Sequence, residues 1–182
     1  WFEQQWEPDS GTYNRATLLR LEGELDPALL QRCLSEIVRR HAVLRSAFTA
    51  VDGQPVQRVA PAAEVALASA DLTGLAREER LASAEGRARA LLREPFALDA
   101  GSLLRAQLYR LDPADHLLCL VRHHIAFDGQ SEALFVRELC ALYDACTSGR
   151  PAELPELPIQ YADYAQWQRA QVGGDRFSAH LA

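Results

Sequence analysis

Short apolar runs along the chain predict four strands. Residues 16–23 (ATLLRLEG) alternate between apolar and polar positions, and residues 64–72 (EVALASADL) do so more weakly. Residues 103–111 (LLRAQLYRL) and 116–124 (HLLCLVRHH) are more apolar, and the DPAD sequence between them is typical of a turn. These last two runs are the strongest strand signals in the chain.

A β-hairpin is predicted near residue 52. Residues 44–51 (LRSAFTAV) and 55–60 (PVQRVA) flank the sequence Asp52-Gly53-Gln54. An Asp-Gly pair between two strand-like runs indicates a tight hairpin turn, because both residues tolerate the positive φ that such turns need.

Helical periodicity is clearest in residues 25–41 (LDPALLQRCLSEIVRRH). Asp26 is suited to the N-cap and Pro27 to the first helical position. Six apolar side chains recur at helical spacing and predict one buried stripe: Leu29, Leu30, Cys33, Leu34, Ile37 and Val38.

Three further helices are predicted at residues 75–92, 131–146 and 159–171, the last after a Pro-rich connector at 147–158. Because strands, hairpins and helices are mixed along the chain, the predicted fold class is α+β, a mixed α/β sandwich. We expect one mixed sheet with helices packed on it.

Composition and charge narrow the possible functions. The 182 residues suffice for one domain with a core, and 48% hydrophobic with 24% charged residues is typical of globular proteins. The net charge of -6, with both signs scattered, argues against nucleic acid or a membrane as partner. The longest apolar runs are too short to span a bilayer. The chain begins at Trp1 and lacks Met, so we expect a piece of a longer polypeptide.

The four cysteines lack the two-residue spacing of zinc or redox motifs. Cys33 and Cys140 fall on apolar helical positions, and we expect them to be small core residues. Free cysteines of this kind fit a reducing, cytoplasmic location.

The segment LVRHHIAFDGQS, residues 120–131, is the strongest candidate for chemistry. It lies where a predicted strand ends and a predicted helix begins, and such junctions expose side chains beside free backbone N–H groups. Histidine is the side chain best suited to move a proton near neutral pH. We therefore expect one ring of the His123-His124 pair to take part in the reaction. We expect Asp128 to have an architectural role, orienting the loop through an ion pair with an arginine.

A metal site is not predicted at this segment. Adjacent residues of a strand point to opposite faces, so the rings of His123 and His124 diverge if the strand continues, and a third ligand is not evident. The alternative without chemistry is that both histidines are core residues at a strand end.

Five segments resemble the motifs of one family, and they follow one another along the chain in the order expected for that family. HHIAFDG (123–129) matches HHxxxDG, RHAVLRSAF (40–48) resembles RHExLRTxF, and YADYAQW (161–167) resembles YxDYAxW. EPFALDAGSLLRAQL (94–108) and the opening WFEQQWEPDSGTYN (1–14) complete the set. The sequence is thereby similar to the condensation domains of nonribosomal peptide synthetases, which belong to the chloramphenicol acetyltransferase-like superfamily.

The resemblance covers residues 1–182 and the N-terminal lobe only, because nothing in the chain corresponds to the motifs of the C-terminal lobe. It implies an acyltransferase that forms a peptide (amide) bond between two thioesters. Donor and acceptor carrier proteins would deliver these substrates on phosphopantetheine arms, with no cofactor bound to the lobe itself. Further implied partners are the C-terminal lobe and a neighbouring adenylation domain. The lobe alone is expected to be inactive, since half of the substrate tunnel is missing.

The resemblance also assigns roles within the motif. His124, the second histidine, is implied to be the catalytic residue, which either takes a proton from the attacking ammonium or holds the amine in place. His123, Asp128 and Gly129 are implied to support the site. The carboxylate of Asp128 is expected to pair with Arg40 or Arg45, and the sequence leaves that choice open.

Several alternatives follow from the departures from the family pattern. Ala42, Gln130 and Arg122 stand where Glu, Trp and an apolar residue are common, which we expect to affect the subtype or the substrate. Epimerization domains share HHxxxD but have another motif set, and heterocyclization domains replace both histidines with Asp. A coenzyme A acyltransferase would fit HxxxDG without the other motifs. A silent carrier-docking or interdomain module is the alternative from a different class.

Overall fold

The chain folds into a mixed sheet with helices on both faces, and the computed structural model describes residues 1–172 of it. The last ten residues of the predicted 1–182 lobe lie outside the described part. The strands are β1 (Asn14–Glu22), β2 (Ser46–Val51), β3 (Gln54–Val59), β4 (Leu67–Asp71), β5 (Leu104–Asp112) and β6 (Asp115–His123). The helices are α1 (Phe2–Trp6), α2 (Pro27–Arg40), α3 (Arg77–Arg93), α4 (Gly129–Thr147) and α5 (Tyr161–Val172), with a 3₁₀ turn at Ala42–Arg45.

The α+β prediction is confirmed, and each predicted strand and helix is present with bounds shifted by at most three residues. Asp26 caps α2 by accepting hydrogen bonds from the backbone N–H groups of Ala28 and Leu29. The short helix α1 and the 3₁₀ turn were not predicted. Both are too short to show a helical period in the sequence.

The main sheet has four strands in the order β1-β6-β5-β4. Strand β6 is antiparallel to β1 and to β5, whereas β4 is parallel to β5, so the sheet is mixed. Every residue of β6 after Asp115 is buried, because this central strand is covered on both faces. The strongest strand signal of the sequence therefore forms the centre of the sheet.

The predicted hairpin is present but does not join the main sheet. Strands β2 and β3 pair only with each other, and the turn between them places Asp52 and Gly53 at φ angles of 50° and 74°. The 3₁₀ turn after α2 redirects the chain, and the N–H of Phe48 donates to the carbonyl of Leu98 in a loop at 2.8 Å. The structure thus has a second, two-stranded sheet beside the expected one.

Helices lie on both faces of the main sheet. Adjacent residues of β6 point in opposite directions: Arg122 contacts Phe135 of α4, and His123 contacts Phe96, which follows α3. Helix α2 packs beside α4, and its six predicted apolar residues are all buried. No helix within residues 1–172 has the length and apolar character needed to cross a membrane.

One of the two core predictions for cysteine is wrong. Cys33 is buried, as expected, whereas Cys140 is exposed on α4. The buried stripe of α4 includes the polar Glu138 beside Leu139, and this stripe leaves position 140 on the outer face.

Candidate functional site

The HHIAFDG segment connects the central strand to helix α4. Strand β6 ends at His123, and a tight turn closes through a hydrogen bond from the N–H of Ala126 to the carbonyl of His123, at 3.0 Å. The N–H of His124 donates to the carbonyl of Tyr13 at 2.8 Å, which ties the turn to the segment before β1. These bonds fix the backbone of both histidines.

His123 is buried and held in one tautomer. Its Nδ1 accepts a hydrogen bond from the N–H of Ile125 at 3.1 Å, so the proton must lie on Nε2, which donates to Oε1 of Gln4 at 3.2 Å. The ring meets Phe96 edge-on, with 6.1 Å between centroids. This geometry fits a neutral, structural imidazole.

The pKa of His123 gives a testable pH dependence. Burial lowers the pKa of this ring from 6.5 to about 4. The unfolded chain therefore binds more protons than the folded chain between these values, and folding loses stability as the pH falls from 6.5 toward 4. The loss is on the order of 3 kcal/mol. We expect chemical denaturation to show that loss in the wild type, relative to His123→Gln, which cannot titrate; parallel pH profiles would contradict it.

His124, one residue further, is exposed and lines a cavity of about 410 Å³. The other residues around this cavity are Trp1, Phe2, Glu3, Tyr13, His123 and Ile125. Within the described residues, no side chain forms a hydrogen bond with the ring of His124. The imidazole is therefore free to bind, or exchange a proton with, a molecule in the cavity.

Asp128 caps helix α4 and does not form the predicted ion pair. Its Oδ1 accepts hydrogen bonds from the backbone N–H and the hydroxyl of Ser131, at 2.8 and 2.6 Å. The hydroxyl bond is the larger cause of the lowered pKa of this carboxyl. Asp128 is exposed and has the extended backbone of an N-cap residue. Its architectural role is thus to start the helix, not to neutralise an arginine.

Arg40 was one predicted partner of Asp128, and it pairs with another carboxylate. Its Nη2 lies 3.3 Å from Oε1 of Glu138 on α4 and donates to the carbonyl of Pro155 at 2.8 Å. His41 Nε2 lies 2.8 Å from the other oxygen of Glu138. Glu138 is buried and faces the end of α2. Arg40 therefore pairs with Glu138 and not with Asp128.

Arg45, the other predicted partner, is bound to backbone. It donates to the carbonyl of Ala60 and, at 3.5 Å, to that of Arg39. These bonds tie the 3₁₀ turn to the end of β3. The prediction of an Asp128 pair with Arg40 or Arg45 is therefore wrong for this chain.

Gly129 is the first residue of α4 and is exposed. A Cβ at this position would meet no atom within 4 Å in the described chain. The space above Gly129 is therefore open, and its closeness to a bound molecule stays a prediction.

Three polar residues that shape the site were not singled out for these roles from the sequence. Gln4 orients His123, Glu138 holds Arg40 and His41, and Glu132 binds Arg122 behind the motif. Glu138 interrupts the apolar stripe of α4, which was the one visible signal. Within residues 1–172, no group of three or more His, Cys, Asp or Glu side chains is placed to hold a metal ion.

Comparison with known proteins gives one consistent family. A family model described as "Condensation domain" matches residues 1–182. Chondramide synthase cmdD of Chondromyces crocatus is 42% identical over 181 residues, which is 100% of this chain and 5% of that protein. Phosphinothricin tripeptide synthetase PhsB of Streptomyces viridochromogenes is 40% identical over 188 residues, which is 100% of this chain and 16% of that protein. The chain thus spans a small part of the curated relatives it matches.

Solved structures show the same fold. The starter condensation domain of rhizomide synthetase RzmA has a TM-score of 0.86 and 25% identity, covering 96% of this chain and 42% of that one. The first condensation domain of the calcium-dependent antibiotic synthetase, in complex with a substrate analogue, has a TM-score of 0.86 and 28% identity. That match covers 98% of this chain and 43% of the solved chain.

Proposed function

The chain belongs to the condensation-domain family, and we propose that it is the N-terminal lobe of a domain that forms amide bonds in nonribosomal peptide synthesis. The reaction joins the amine of an acceptor thioester to the acyl group of a donor thioester. Donor and acceptor would be bound to carrier proteins through phosphopantetheine arms. This activity is that of an acyltransferase.

The exposed ring of His124 is the observation that carries this proposal. It faces a cavity, whereas the neighbouring ring is buried and locked in one tautomer. The acceptor nitrogen attacks the donor carbonyl carbon, the C–N bond forms, and the C–S bond breaks. The nitrogen loses its proton to the imidazole of His124 or, if that ring only holds the amine, to solvent. The sulfur leaves as a thiolate and takes up a proton, from the imidazolium of His124 or from solvent, to become a thiol.

The lining of the cavity supports an acyl substrate. Four of the seven lining residues are aromatic or aliphatic: Trp1, Phe2, Tyr13 and Ile125. The polar groups on the wall are the phenol of Tyr13, the carboxylate of Glu3 and the two imidazoles. Mostly apolar clefts with a few convergent polar groups are typical of sites for small organic groups. We infer that a thioester-linked acyl or aminoacyl group occupies this space.

The aromatic face of α5 supports the proposal that a second lobe is needed. The rings of Tyr161, Tyr164 and Trp167 lie in tilted contact along the helix, with centroid separations of 5.9 and 5.7 Å. The three residues are nevertheless 57%, 40% and 58% exposed. Exposed aromatic patches of this kind mark interaction surfaces. We propose that the C-terminal lobe covers this face, and that an adenylation domain neighbours the condensation domain.

The four free cysteines are compatible with a reducing, cytoplasmic setting.

Reconstitution with loaded carriers tests the proposed function. We expect a protein containing this chain and its second lobe to convert donor and acceptor aminoacyl carriers into a carrier-bound dipeptide, measured by intact-protein mass spectrometry. The 182-residue chain alone should give no dipeptide above background, because half of the tunnel is missing. A two-lobe protein that binds both carriers yet leaves the rate at background would favour a docking module instead.

A further inference from the structure

We propose that Arg122 is a positioning residue that holds the His124 turn in its reactive geometry, an inference that rests on the proposed function. Arg122 immediately precedes the two histidines on β6, and its side chain points to the opposite face of the sheet from His123. It does not reach the cavity. Its effect must therefore pass through the residues that it contacts.

Arg122 lies at the start of the motif loop and contacts residues at and beyond its other end. Its guanidinium carbon lies 3.9 Å from the ring centroid of Phe127, the residue before the helix cap, and 5.3 Å from that of Phe135. Its Nη2 donates to Oε2 of Glu132 at 2.9 Å, in the first turn of α4. One guanidinium thus links the loop that carries His124 to the sheet, in addition to the backbone bond between His124 and Tyr13.

Thr17 on β1 completes the cluster. Its hydroxyl accepts a hydrogen bond from Arg122 and donates to Oε1 of Glu132 at 2.8 Å. Three elements therefore meet at this point: β1, the end of β6 and the start of α4. A shift of Glu132 would move the helix start, and with it the turn in which His124 sits.

The energetics of this cluster argue for a role other than stability. The Arg122 side chain has no exposed surface, and within the described residues its Nε and Nη1 have no hydrogen-bond partner. The side chain of Glu132 is 34% exposed, so solvent weakens its attraction to Arg122 relative to that in a fully buried ion pair. Desolvation of a buried ion can exceed its Coulombic gain, and apolar replacements are then neutral or stabilising. We infer that the buried guanidinium serves to fix the geometry of the loop.

Two variants of the two-lobe protein test the inference. In Glu132→Gln, the buried guanidinium loses its counter-charge, and we expect the melting temperature to fall. In Arg122→Met/Glu132→Gln, no charge remains, the introduced amide oxygen still accepts from Thr17, and the melting temperature should return to the wild-type value or above. The kcat of the double variant should nevertheless fall about tenfold, with KM unchanged, because the His124 turn loses the side-chain contacts that add to its backbone bonds.

The ion pair of Arg80 and Asp112 provides a matched control, with Nη1 and Oδ1 2.6 Å apart. It lies at the end of β5 that is distant from the motif. Arg80→Met/Asp112→Asn should leave kcat unchanged. If the wild type condenses substrates and the double variant at positions 122 and 132 keeps its full kcat, the inference is overturned. If the wild type forms no amide, the proposed function fails instead.

A spectroscopic arm needs no turnover and uses the 182-residue chain itself. With ¹³C-labelled histidine, relaxation dispersion at the ring of His124 should show an exchange contribution in the double variant that is absent from the wild type. The ring of His116, at the far end of β6, should not change. Identical dispersion for His124 in both proteins would overturn the positioning role.

Discussion

Replacement of His124 with alanine is expected to lower kcat for amide formation by about 100- to 10,000-fold, the usual range for loss of a general base. The imidazole is exposed at the cavity, and within residues 1–172 no other histidine lines the cavity except the buried His123. His123 cannot take over, because both of its ring nitrogens are occupied by Gln4 and the backbone of Ile125. Single-turnover assays with loaded carriers measure the rate directly.

His116→Ala is the matched control for this prediction. It is the same substitution at the far end of the strand that leads to the motif, roughly 25 Å away. His116 is buried, so the variant loses some stability, but its kcat should stay at the wild-type value. Unchanged turnover in His124→Ala, with the melting temperature preserved, would remove His124 from the mechanism.

His124→Asn separates the two roles proposed for this ring. An asparagine amide can accept a hydrogen bond from the acceptor amine, but it cannot take up a proton near neutral pH. If the imidazole is the base, Asn should be as slow as Ala. If it only holds the amine, Asn should recover most of the rate.

The largest effect on stability is expected at Glu138. Its carboxylate is buried between Arg40 Nη2 at 3.3 Å and His41 Nε2 at 2.8 Å. Glu138→Gln leaves Arg40, whose side chain is only 11% exposed, without its counter-charge. Removing one partner of a buried pair costs about 3–5 kcal/mol, which corresponds to a fall of about 10 °C in melting temperature for a domain of this size. Thermal unfolding followed by circular dichroism measures it.

Glu36→Gln is the control, because Glu36 forms an ion pair with Arg39 on the surface of α2, at 2.6 Å. Exposed pairs are worth about 0–1 kcal/mol, so the melting temperature of this variant should change little. Equal losses for the two variants would contradict the structural role assigned to Glu138.

The contribution of Glu138 should also depend on pH. Burial by itself would raise the pKa of this carboxyl, but hydrogen bonds and charges from His41 and Arg40 outweigh it and lower the pKa below 4.5. A depressed carboxyl pKa contributes stability that is fully present above 4.5 and is lost as the pH falls through the folded value. The difference between the wild type and Glu138→Gln should shrink under acid conditions.

The same cluster anchors the connector to α5. Arg40 donates to the carbonyl of Pro155, and the side chain of Gln160 bridges the carbonyl of Arg40 and the N–H of Ala42, at 3.0 and 2.9 Å. The RHAVLR motif is therefore a docking point for the segment that leads to the exposed aromatic helix. The motif and this segment are far apart in the sequence, so the sequence pattern alone does not predict their contact.

Much of the fold follows from local patterns. Asp26 and Pro27 begin α2, the Asp52-Gly53 pair closes the hairpin, and the nearly continuous apolar run in β6 forms the centre of the sheet. Each of these depends on neighbours within a few residues, where capping, turn geometry and burial act directly on the backbone.

The sequence alone determined the α+β class, the strands and longer helices, and the junction at which His123 and His124 stand. Only the tertiary structure decided which histidine is buried and which faces a cavity, that Asp128 caps α4, and that Glu138 takes Arg40. These outcomes depend on side chains that are distant in sequence and meet only after the sheet and helices have packed. Burial and charge pairing are properties of that packing, so local pattern could place the candidates but could not choose their partners.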